Sequence, residues 1–554
     1  MSFKINSLYL TDGYKTAHKA MLAPGTTKLY GTWIPRSTKH APKEVKKIVS
    51  FGQQLVWKWL HDEFEENFFG GEQRRLYDSV TEPEGILAVK PLKDSIKKDA
   101  LKFVKDMSLY LGMEYDGKHF EELWDLGYLP IKVKALPEGI ETGTNVPHMT
   151  FVNTVDGFAW LTLYLETVVS SLAWKPSTSA TIAKLYRRQA EEWVAKTDPS
   201  NMWLVDFLCH DFSARGLSPW DMISSGLGHA TSFRGSDTLA VIPAARYFYN
   251  ESEDEVCINS VNASEHSVST TKIFTVGEQQ MITDWLHIFP KGILSIVADT
   301  FDLWKLITEY LPANKDAIMS REGKLVIRPD SGDPVDIICG LPQYTENGKI
   351  RVEYKTNNFP GLANESYDSN NPSHKGVIEL LWDIFGGTIN EQGYKVLDPH
   401  IGAIYGDSIT TERQRQIYER LAAKGFAATN IVLGVGSFTY QYNTRDTLGF
   451  AAKGAWFETL EVSKYHEDDI SYGEPAEYLR KGYNIYKDPV TDDGTKKSLK
   501  GLLAVHLNTE TGEYEVQQEC TPEQEEEGGV LQVIYKDGEF FNQTSLTEIR
   551  KKLK

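Results

Sequence analysis

A short apolar run that ends in a cluster of polar residues recurs between residues 200 and 445. Helical periodicity follows most of these polar tips. Runs of this kind are residues 204–208, 294–298, 325–327, 401–405 and 431–433. Strand, polar tip and helix in repeated order is typical of the βα units of a parallel barrel or sheet. We therefore predict an α/β fold with a (β/α) barrel-like domain.

The stretch after residues 325–327 carries the most informative tip. Residues 325–327 are an uninterrupted apolar run, as in a strand that is buried on both faces of a parallel sheet. Arg328 and Asp330 follow at once, and nearby prolines stop the strand. This places a cation and a carboxylate where α/β folds bind ligands. The alternative is a surface turn with a local Arg–Asp ion pair.

The composition excludes some classes of protein. A chain of 554 residues with 41% hydrophobic residues has material for two large globular domains. Its formal net charge of −18 argues against non-specific nucleic-acid binding. A site for an anionic ligand must therefore be a local cluster of Arg and Lys.

The cysteines and the first residues predict a cytoplasmic protein. Cys209, Cys257, Cys339 and Cys520 are widely spaced without a Cys-x-x-Cys pair, which indicates a reduced protein without structural zinc. Residues 1–6 contain no signal-peptide core, and no apolar run is long enough to span a bilayer.

The parts of the chain outside the barrel pattern predict an α+β domain. Residues 1–199 mix amphipathic helices with a half-buried strand at 131–135 in no regular order. After residue 445 the barrel pattern stops and hairpin signals appear. We expect 1–199 and 446–554 to form the α+β domain together, and 200–445 to form the barrel. Residues 344–373, rich in Asn, Gly, Pro and Ser, predict a loop-like surface insertion.

The polar tips combine acidic and basic side chains. They are Asp237, Glu265, Asp299, Asp330, Asp407, Arg215, Arg328, Arg445 and His266. The serine-hydrolase, Walker A and zinc-protease motifs are absent where they should occur, and clustered cations disfavour a glycosidase site for a neutral sugar. Carboxylates suited to Mg²⁺ beside Arg and Gly-rich turns suited to phosphate favour transfer of a phosphorylated sugar.

Weaker signals leave alternatives open. The Gly434-x-Gly436-Ser437 segment can expose backbone N–H groups to a phosphate, and Asp407 can bond a ribose diol. His266 is either reactive or a satisfied core residue. A basic tract is either a phosphate site or a solvated loop; it comprises Lys453, Lys487, Lys496, Lys497 and Lys500.

Short motifs occur in one order along almost the whole chain. They are Thr11-Asp12-Gly13-Tyr14-Lys15, His210-Asp211-Phe212-x-x-Arg215-Gly216, Gly235-Ser236-Asp237-Thr238, Ala263-x-Glu265-His266-Ser267, Ile327-Arg328-Pro329-Asp330-Ser331-Gly332, Gly406-Asp407, Thr444-Arg445-Asp446 and Lys487-Asp488-Pro489-Val490. This set resembles the nicotinate/nicotinamide phosphoribosyltransferase family, and within it the nicotinamide enzymes. The resemblance implies a homodimer, with active sites at the interface, that converts nicotinamide and 5-phosphoribosyl 1-pyrophosphate into nicotinamide mononucleotide and pyrophosphate for NAD salvage.

The resemblance also implies a role for each matched residue. Phe212 and, from the other subunit, Tyr14 would sandwich the pyridine ring, while Asp237 and Arg328 hold its carboxamide. Asp330 and Gly406 would meet ribose hydroxyls. The 5-phosphate would bind Gly436, Ser437 and, across the interface, Arg445. Other substrate-binding cations would be Arg36, Arg215, Lys453 and Lys487.

The resemblance further implies Mg²⁺ and ATP as cofactors. Glu265, Asp299 and Asp330 would surround Mg²⁺, mainly through pyrophosphate and water, and His266 would be the histidine that ATP phosphorylates to stimulate the reaction. Ser213-Ala214 replaces a family Gly-Tyr, and Ala451 replaces a family serine. The alternatives are a nicotinate phosphoribosyltransferase and a non-catalytic protein that binds NAD metabolites.

Overall fold

The computed structural model describes residues 4–355, 362–406, 408–462, 478–487 and 499–554. These residues form two compact units. The first unit comprises Met1–Thr181, Tyr247–Asn250 and Thr444–Lys552, and the second comprises Ile182–Arg246, Glu251–Asn443 and Leu553–Lys554. The domain boundaries drawn from the sequence, 199/200 and 445/446, stay predictions.

The first unit is built on a seven-stranded antiparallel sheet. Its strands, in spatial order, are Tyr478–Asn484, Ala451–Val462, Thr26–Ile34, Met149–Asn153, Ile131–Ala135, Gln532–Lys536 and Glu539–Phe540. Three strands from the N-terminal part lie in the middle of this sheet, with two C-terminal strands on each side, which confirms an α+β part formed by the N- and C-terminal segments. Two-stranded sheets join Ile48–Val49 to Glu141–Thr142 and Leu502–Leu507 to Tyr514–Cys520.

Aromatic packing explains why the two ends of the chain fold together. The ring of Trp33 stacks on that of Phe450 at 5.1 Å, and the ring of Trp57 stacks on that of Tyr535 at 5.4 Å. Trp33, Trp57 and Tyr535 are almost completely buried, so each pair removes a large apolar area from water.

The first unit also contains helices of different lengths. The α-helices are His18–Met21, Gln53–Phe64, Gly71–Asp78, Pro83–Ala100, Lys102–Leu111, Lys118–Leu126, Ala159–Thr197, Pro522–Glu527 and Leu546–Leu553. Short 3₁₀ or π helices are Ser7–Tyr9, Gly13–Ala17, Glu65–Phe69 and Arg445–Thr447. Ala159–Thr197 continues through Pro176, and the division between the two units falls inside it.

A curled parallel sheet forms the second unit. Its strands in chain order are β1 (Cys209–Phe212), β2 (Asn262–Ala263), β3 (Lys291–Val297), β4 (Glu322–Arg328), β5 (Ile401–Tyr405) and β6 (Ile431–Gly436). They lie in the order β1-β6-β5-β4-β3-β2, and every pair is parallel. Parallel bridges from Asp211 to Ser236 and from Gly235 to Asn259 continue the pairing beyond β1. The predicted barrel-like α/β architecture is thus confirmed.

The first strand begins later than the sequence pattern predicted. Residues 204–208 were expected to form a strand, but Pro199–Phe207 is a 3₁₀ helix and the strand is β1. The run at 325–327 also differs from a strand that is packed on both faces. Leu325 and Ile327 are fully buried, whereas Val326 lines an open cavity in the barrel.

Helices connect the strands of the second unit. The α-helices are Pro219–Ala230, Val241–Tyr249, His266–Val276, Glu278–Ile288, Leu303–Lys305, Leu311–Ala313, Lys315–Met319, Pro334–Cys339, Pro372–Lys375, Val377–Phe385, Thr411–Ala423 and Ser437–Gln441. Short 3₁₀ or π helices are Ala214–Gly216, Leu306–Tyr310 and Ala428–Asn430, and Gly387–Ile389 pairs with Lys395–Leu397.

The predicted loop at 344–373 is instead a small antiparallel sheet in its described part. Gln343–Glu346, Lys349–Lys355 and Leu362–Ser366 pair in that order. Asn347 and Gly348 take positive φ values of 50° and 75° at the first turn, which suits the right-handed twist of a hairpin. Only periodicity around the Asn-Gly pair could have revealed this sheet, because the composition is that of a loop.

No helix in the described part of the chain is long and apolar enough to cross a membrane. Cys209, Cys257, Cys339 and Cys520 are all buried.

The fully buried Ile327 in β4 allows a test of the sheet packing. Ile327→Ala should lower the free energy of unfolding by about 2–5 kcal/mol because it leaves a cavity in a well-packed layer. Ile350, which is 50% exposed in the small antiparallel sheet, is the matched control, and Ile350→Ala should change stability by less than about 0.5 kcal/mol. Urea denaturation followed by circular dichroism measures both. Equal midpoints for the two variants would contradict the assigned burial.

Candidate active site

The carboxyl ends of the parallel strands surround a cavity of about 550 Å³ in the second unit. Residues predicted from the sequence make up most of its wall: Phe212, Arg215, Asp237, Arg328, Asp330, Gly406, Gly436 and Ser437. The other lining residues are Ala214, Gly216 and Thr238. The curl of the sheet therefore brings these tips together, although they come from segments more than 200 residues apart in the chain.

A second cavity of about 700 Å³ occupies the interior of the barrel. It shares Phe212, Asp237 and Arg328 with the first cavity, so the two are adjacent. Bulky side chains usually fill the interior of a (β/α) barrel. Here several inward positions carry small residues, which leave the interior open: Gly235, Ala263, Gly292, Ser295 and Gly323.

Arg328 and Phe212 line both cavities. Arg328 provides hydrogen-bond donors there, and Phe212 provides an aromatic face. Arg328 Nη2 donates to the backbone oxygen of Ser264 at 2.7 Å, which anchors the guanidinium. Its Nε is buried and has no acceptor among the described residues. Phe212 lies with its ring 4.6 Å from that of His210. A planar ligand with a hydrogen-bond acceptor fits this pair.

Asp237 adds an acceptor beside these two residues. One of its oxygens, Oδ1, lies 3.0 Å from His210 Nε2 and also accepts a hydrogen bond from the Ser260 hydroxyl. Burial acts to raise the pKa of Asp237, but the hydrogen bonds from His210 and Ser260 and the charges of His210 and Arg328 outweigh it, so the pKa falls below its ordinary value. The carboxyl is therefore ionised at neutral pH.

His266 faces two carboxylates at the ends of β3 and β4. Its Nε2 lies 3.7 Å from Asp299 Oδ1 and 3.7 Å from Asp330 Oδ2, and its Nδ1 lies 3.3 Å from Thr300 Oγ1. Asp299 Oδ2 accepts from the backbone N–H of Asp330 at 2.9 Å. Asp299 Oδ1, in contrast, is buried without a hydrogen-bond donor among the described residues.

Glu265 precedes the helix His266–Val276 and is exposed. The described residues include no group of three or more His, Cys, Asp or Glu side chains arranged to bind a metal ion. Thr300 had not been predicted as a neighbour of His266.

A glycine at the end of β5 allows the close approach of Asp330. A Cβ atom added to Gly406 would lie 2.4 Å from Asp330 Oδ1, which is closer than real contacts permit. The next predicted residue, Asp407, lies outside the described residues, as do Lys496 and Lys497.

The remaining predicted residues belong to the first unit: Tyr14, Arg36, Arg445, Lys453 and Lys487. Tyr14 is 66% exposed. Burial lowers the pKa of Lys453, and the charges of Arg36, Lys487 and Lys15 lower it further, against the effect of Glu166. Burial and the charge of Arg445 likewise lower the pKa of Arg36. These cations repel one another, and an anion would relieve that repulsion.

Two neighbours of Asp237 were missed by the sequence interpretation. His210 lies two residues before Phe212 on β1, and side chains two apart share one face of a strand. That spacing could have placed His210 beside the cavity. Ser260 offered no comparable signal, because it lies outside the strands.

Known proteins resemble this chain in sequence and fold. The Nicotinate phosphoribosyltransferase (NAPRTase) family matches residues 207–467. A nicotinamide phosphoribosyltransferase of Acinetobacter baylyi is 37% identical over 100% of this chain and 98% of its own length. A nicotinamide phosphoribosyltransferase of Mycoplasma pneumoniae is 33% identical over 67% of this chain and 70% of its own length. A crystal structure of nicotinate-nucleotide pyrophosphorylase from Pyrococcus furiosus shares the fold, with a TM-score of 0.50 and 13% identity over 100% of this chain and 97% of that one.

Proposed function

This chain belongs to the nicotinate phosphoribosyltransferase family, and from that premise we propose that it transfers 5-phosphoribosyl from 5-phosphoribosyl 1-pyrophosphate to nicotinamide. The products are nicotinamide mononucleotide and pyrophosphate, so the enzyme is a pentosyltransferase of NAD salvage. The observation that carries the proposal is the meeting of Phe212, Asp237 and Arg328 at the junction of the two cavities.

The base site suits a carboxamide. The Phe212 ring offers a stacking face, Arg328 can donate to the carboxamide oxygen, and ionised Asp237 can accept from its NH₂. Nicotinate would place a carboxylate against Asp237 with no donor between them. Like-charge contact at a partly desolvated site costs several kcal/mol, which corresponds to discrimination on the order of a thousandfold.

The cavity of about 550 Å³ at the carboxyl ends of the strands suits the sugar donor. Asp330 and Gly406 would meet the ribose hydroxyls, with Asp407 next in the chain, and Arg215, Gly436 and Ser437 would take the 5-phosphate. We assign Glu265, Asp299 and Asp330 to Mg²⁺, mainly through pyrophosphate and water. Asp299 Oδ1, which is buried and accepts no hydrogen bond from the described residues, fits a hydrated cation. When bound, Mg²⁺ would neutralise charge on the leaving pyrophosphate.

The chemistry requires positioning more than base catalysis. The neutral pyridine nitrogen attacks the anomeric carbon while the bond from that carbon to pyrophosphate breaks, so no proton has to be removed. The residues of the site hold the ring and the sugar in line, and carboxylates near the anomeric carbon stabilise its developing positive charge. Cations stabilise the departing pyrophosphate.

We further propose a homodimer with active sites at the interface. In this arrangement Tyr14, Arg36, Arg445, Lys453 and Lys487 of one subunit complete the site of the other. An apolar surface on the second unit supports a partner of this kind. Along the helix His266–Val276 only Ser269 is buried, while Val268, Phe274 and Val276 are exposed and Phe301 lies beside Phe274.

His266 is proposed as the residue that ATP phosphorylates, and ATP is a stimulatory cofactor. Its half-exposed ring beside Asp299 and Asp330 supports this role, because an accessible imidazole can act as a nucleophile. The four cysteines are widely spaced in the chain and buried, which is typical of a protein in a reducing compartment, so we place the enzyme in the cytoplasm. A non-catalytic NAD-metabolite protein would not require groups that stabilise a departing pyrophosphate.

Base choice tests the assignment of Asp237. Wild type should form nicotinamide mononucleotide and pyrophosphate with nicotinamide and hardly use nicotinate. Asp237→Ser should weaken nicotinamide use and relax the rejection of nicotinate, because Arg328 is then free to pair with its carboxylate. The measurement is kcat/KM for both bases at one Mg²⁺ and ATP concentration. Asp316→Ser, at an exposed aspartate, is the control. A wild-type preference for nicotinate would make the enzyme a nicotinate phosphoribosyltransferase instead.

Subunit mixing tests the shared sites. Tyr14→Ala and Asp330→Ala should each abolish most activity, because each removes part of every site. A heterodimer of the two would contain one site with both residues intact, so mixing should restore up to about half of the wild-type activity per heterodimer. Native mass spectrometry verifies the exchange. Heterodimers without activity would refute the shared arrangement.

ATP coupling tests His266. His266→Ala should lose acid-labile phosphorylation by γ-labelled ATP and lose stimulation by ATP, while a weak ATP-independent synthesis remains. His287→Ala, at an exposed histidine of the helix Glu278–Ile288, is the matched control and should keep both. Stoichiometric phosphohistidine in His266→Ala would exclude His266 as the acceptor.

A further inference from the structure

We infer that His210 is a positioning residue that determines which oxygen of Asp237 meets the base, and thereby sets the selectivity for a carboxamide over a carboxylate. The inference rests on the proposed function and deepens it. It starts from an asymmetry in how the two oxygens of Asp237 are bonded.

All the hydrogen bonds that the described residues make to the Asp237 side chain fall on one oxygen. His210 Nε2 lies 3.0 Å from Oδ1, and the Ser260 hydroxyl donates to the same atom. Within the described chain, no donor contacts Oδ2. Asp237 lines both cavities, so its second oxygen is available to a ligand.

The chemistry of the pair determines where its proton lies. An ionised carboxylate can only accept, so His210 must donate through Nε2–H. The His210 side chain is only 11% exposed. Gly235 leaves space for its ring, because a Cβ atom at Gly235 would lie 3.0 Å from His210 Nδ1. The ring also lies 4.6 Å from Phe212. His210 is therefore held in one position between the stacking face and the acceptor.

This arrangement produces selectivity because it keeps Oδ2 a pure acceptor. A carboxamide can donate to Oδ2, whereas a carboxylate brings no proton and is repelled. Without His210, Oδ1 of Asp237 keeps only the hydrogen bond from Ser260. The Asp237 side chain, which is 43% exposed, can then rotate away from the base or become protonated more readily. Either change weakens the bond to nicotinamide and reduces the repulsion of nicotinate.

The test compares His210→Ala with His210→Gln in the complete enzyme. His210→Ala should reduce the ratio of kcat/KM for nicotinamide to that for nicotinate by about tenfold or more, as expected for a lost hydrogen bond to a charged group. The KM for the sugar donor should change little. His210→Gln should restore most of the ratio, because its side-chain amide can supply a donor near the place of Nε2.

His400→Ala is the matched control. His400 also lines the interior cavity and is also paired with an aspartate, since its Nδ1 lies 2.7 Å from Asp398 Oδ1. It makes no hydrogen bond to Asp237, so its removal should leave the ratio unchanged. An equal fall of the ratio in His400→Ala would indicate a general disturbance of the barrel and overturn the role of His210.

A double-mutant cycle shows whether His210 acts through Asp237. In an Asp237→Asn background, His210→Ala should have almost no further effect on the ratio, because the group it positions is gone. Additive effects, or an unchanged ratio in the single His210→Ala variant, would overturn the inference. Failure of the proposed function is distinguishable, because wild type would then form no nicotinamide mononucleotide.

Discussion

The register of three neighbouring parallel strands is the constraint on which the site depends. Val297 of β3 pairs with Arg328 of β4, and Ile327 of β4 pairs with Ala403 of β5. Asp299, Asp330 and Gly406 follow these strands within a few residues, so the register alone brings them to one edge. The bond from Asp330 N to Asp299 Oδ2 then joins two tips, and Gly406 permits the approach of the third. A shift of one residue would reverse which side chains face inward.

The open interior of the barrel depends on which residues of the strands face inward. Apolar side chains such as Leu325 and Ile327 point outward and are fully buried, which stabilises the sheet. The inward positions carry glycine, alanine or serine at several levels, so the interior keeps a cavity. The stability of the fold and the depth of the site thus come from opposite faces of one sheet.

Charge is distributed in a way that the net value of −18 conceals. In the second unit, carboxylates at the strand tips lie beside Arg215 and Arg328. In the first unit, burial and the nearby charges of Arg36 and Lys487 lower the pKa of Lys453, and burial and the charge of Arg445 lower the pKa of Arg36. Local concentrations of one sign can attract an anionic substrate within an acidic protein, because solvent and salt screen the more distant charges.

Much of the fold and the identity of most candidate residues could be predicted from the sequence. Apolar runs with polar tips predict the α/β class, and the motifs name Phe212, Asp237, Arg328 and Asp330 as residues of one site. Signals of this kind are local, because periodicity and turn chemistry depend on neighbours in the chain. The composition of residues 344–373 predicted a loop, and this prediction was wrong, because Asn347 and Gly348 form a hairpin turn inside a small sheet.

The amino-acid sequence by itself determined the class of fold, the residues available at each strand tip and the family. Only the tertiary structure decided which tips share a cavity, that the barrel interior stays open, and that His210 and Ser260 bond the same oxygen of Asp237. The physical reason is that these contacts join residues from different segments. Their distances depend on the curl and register of the whole sheet, which no single stretch of sequence specifies.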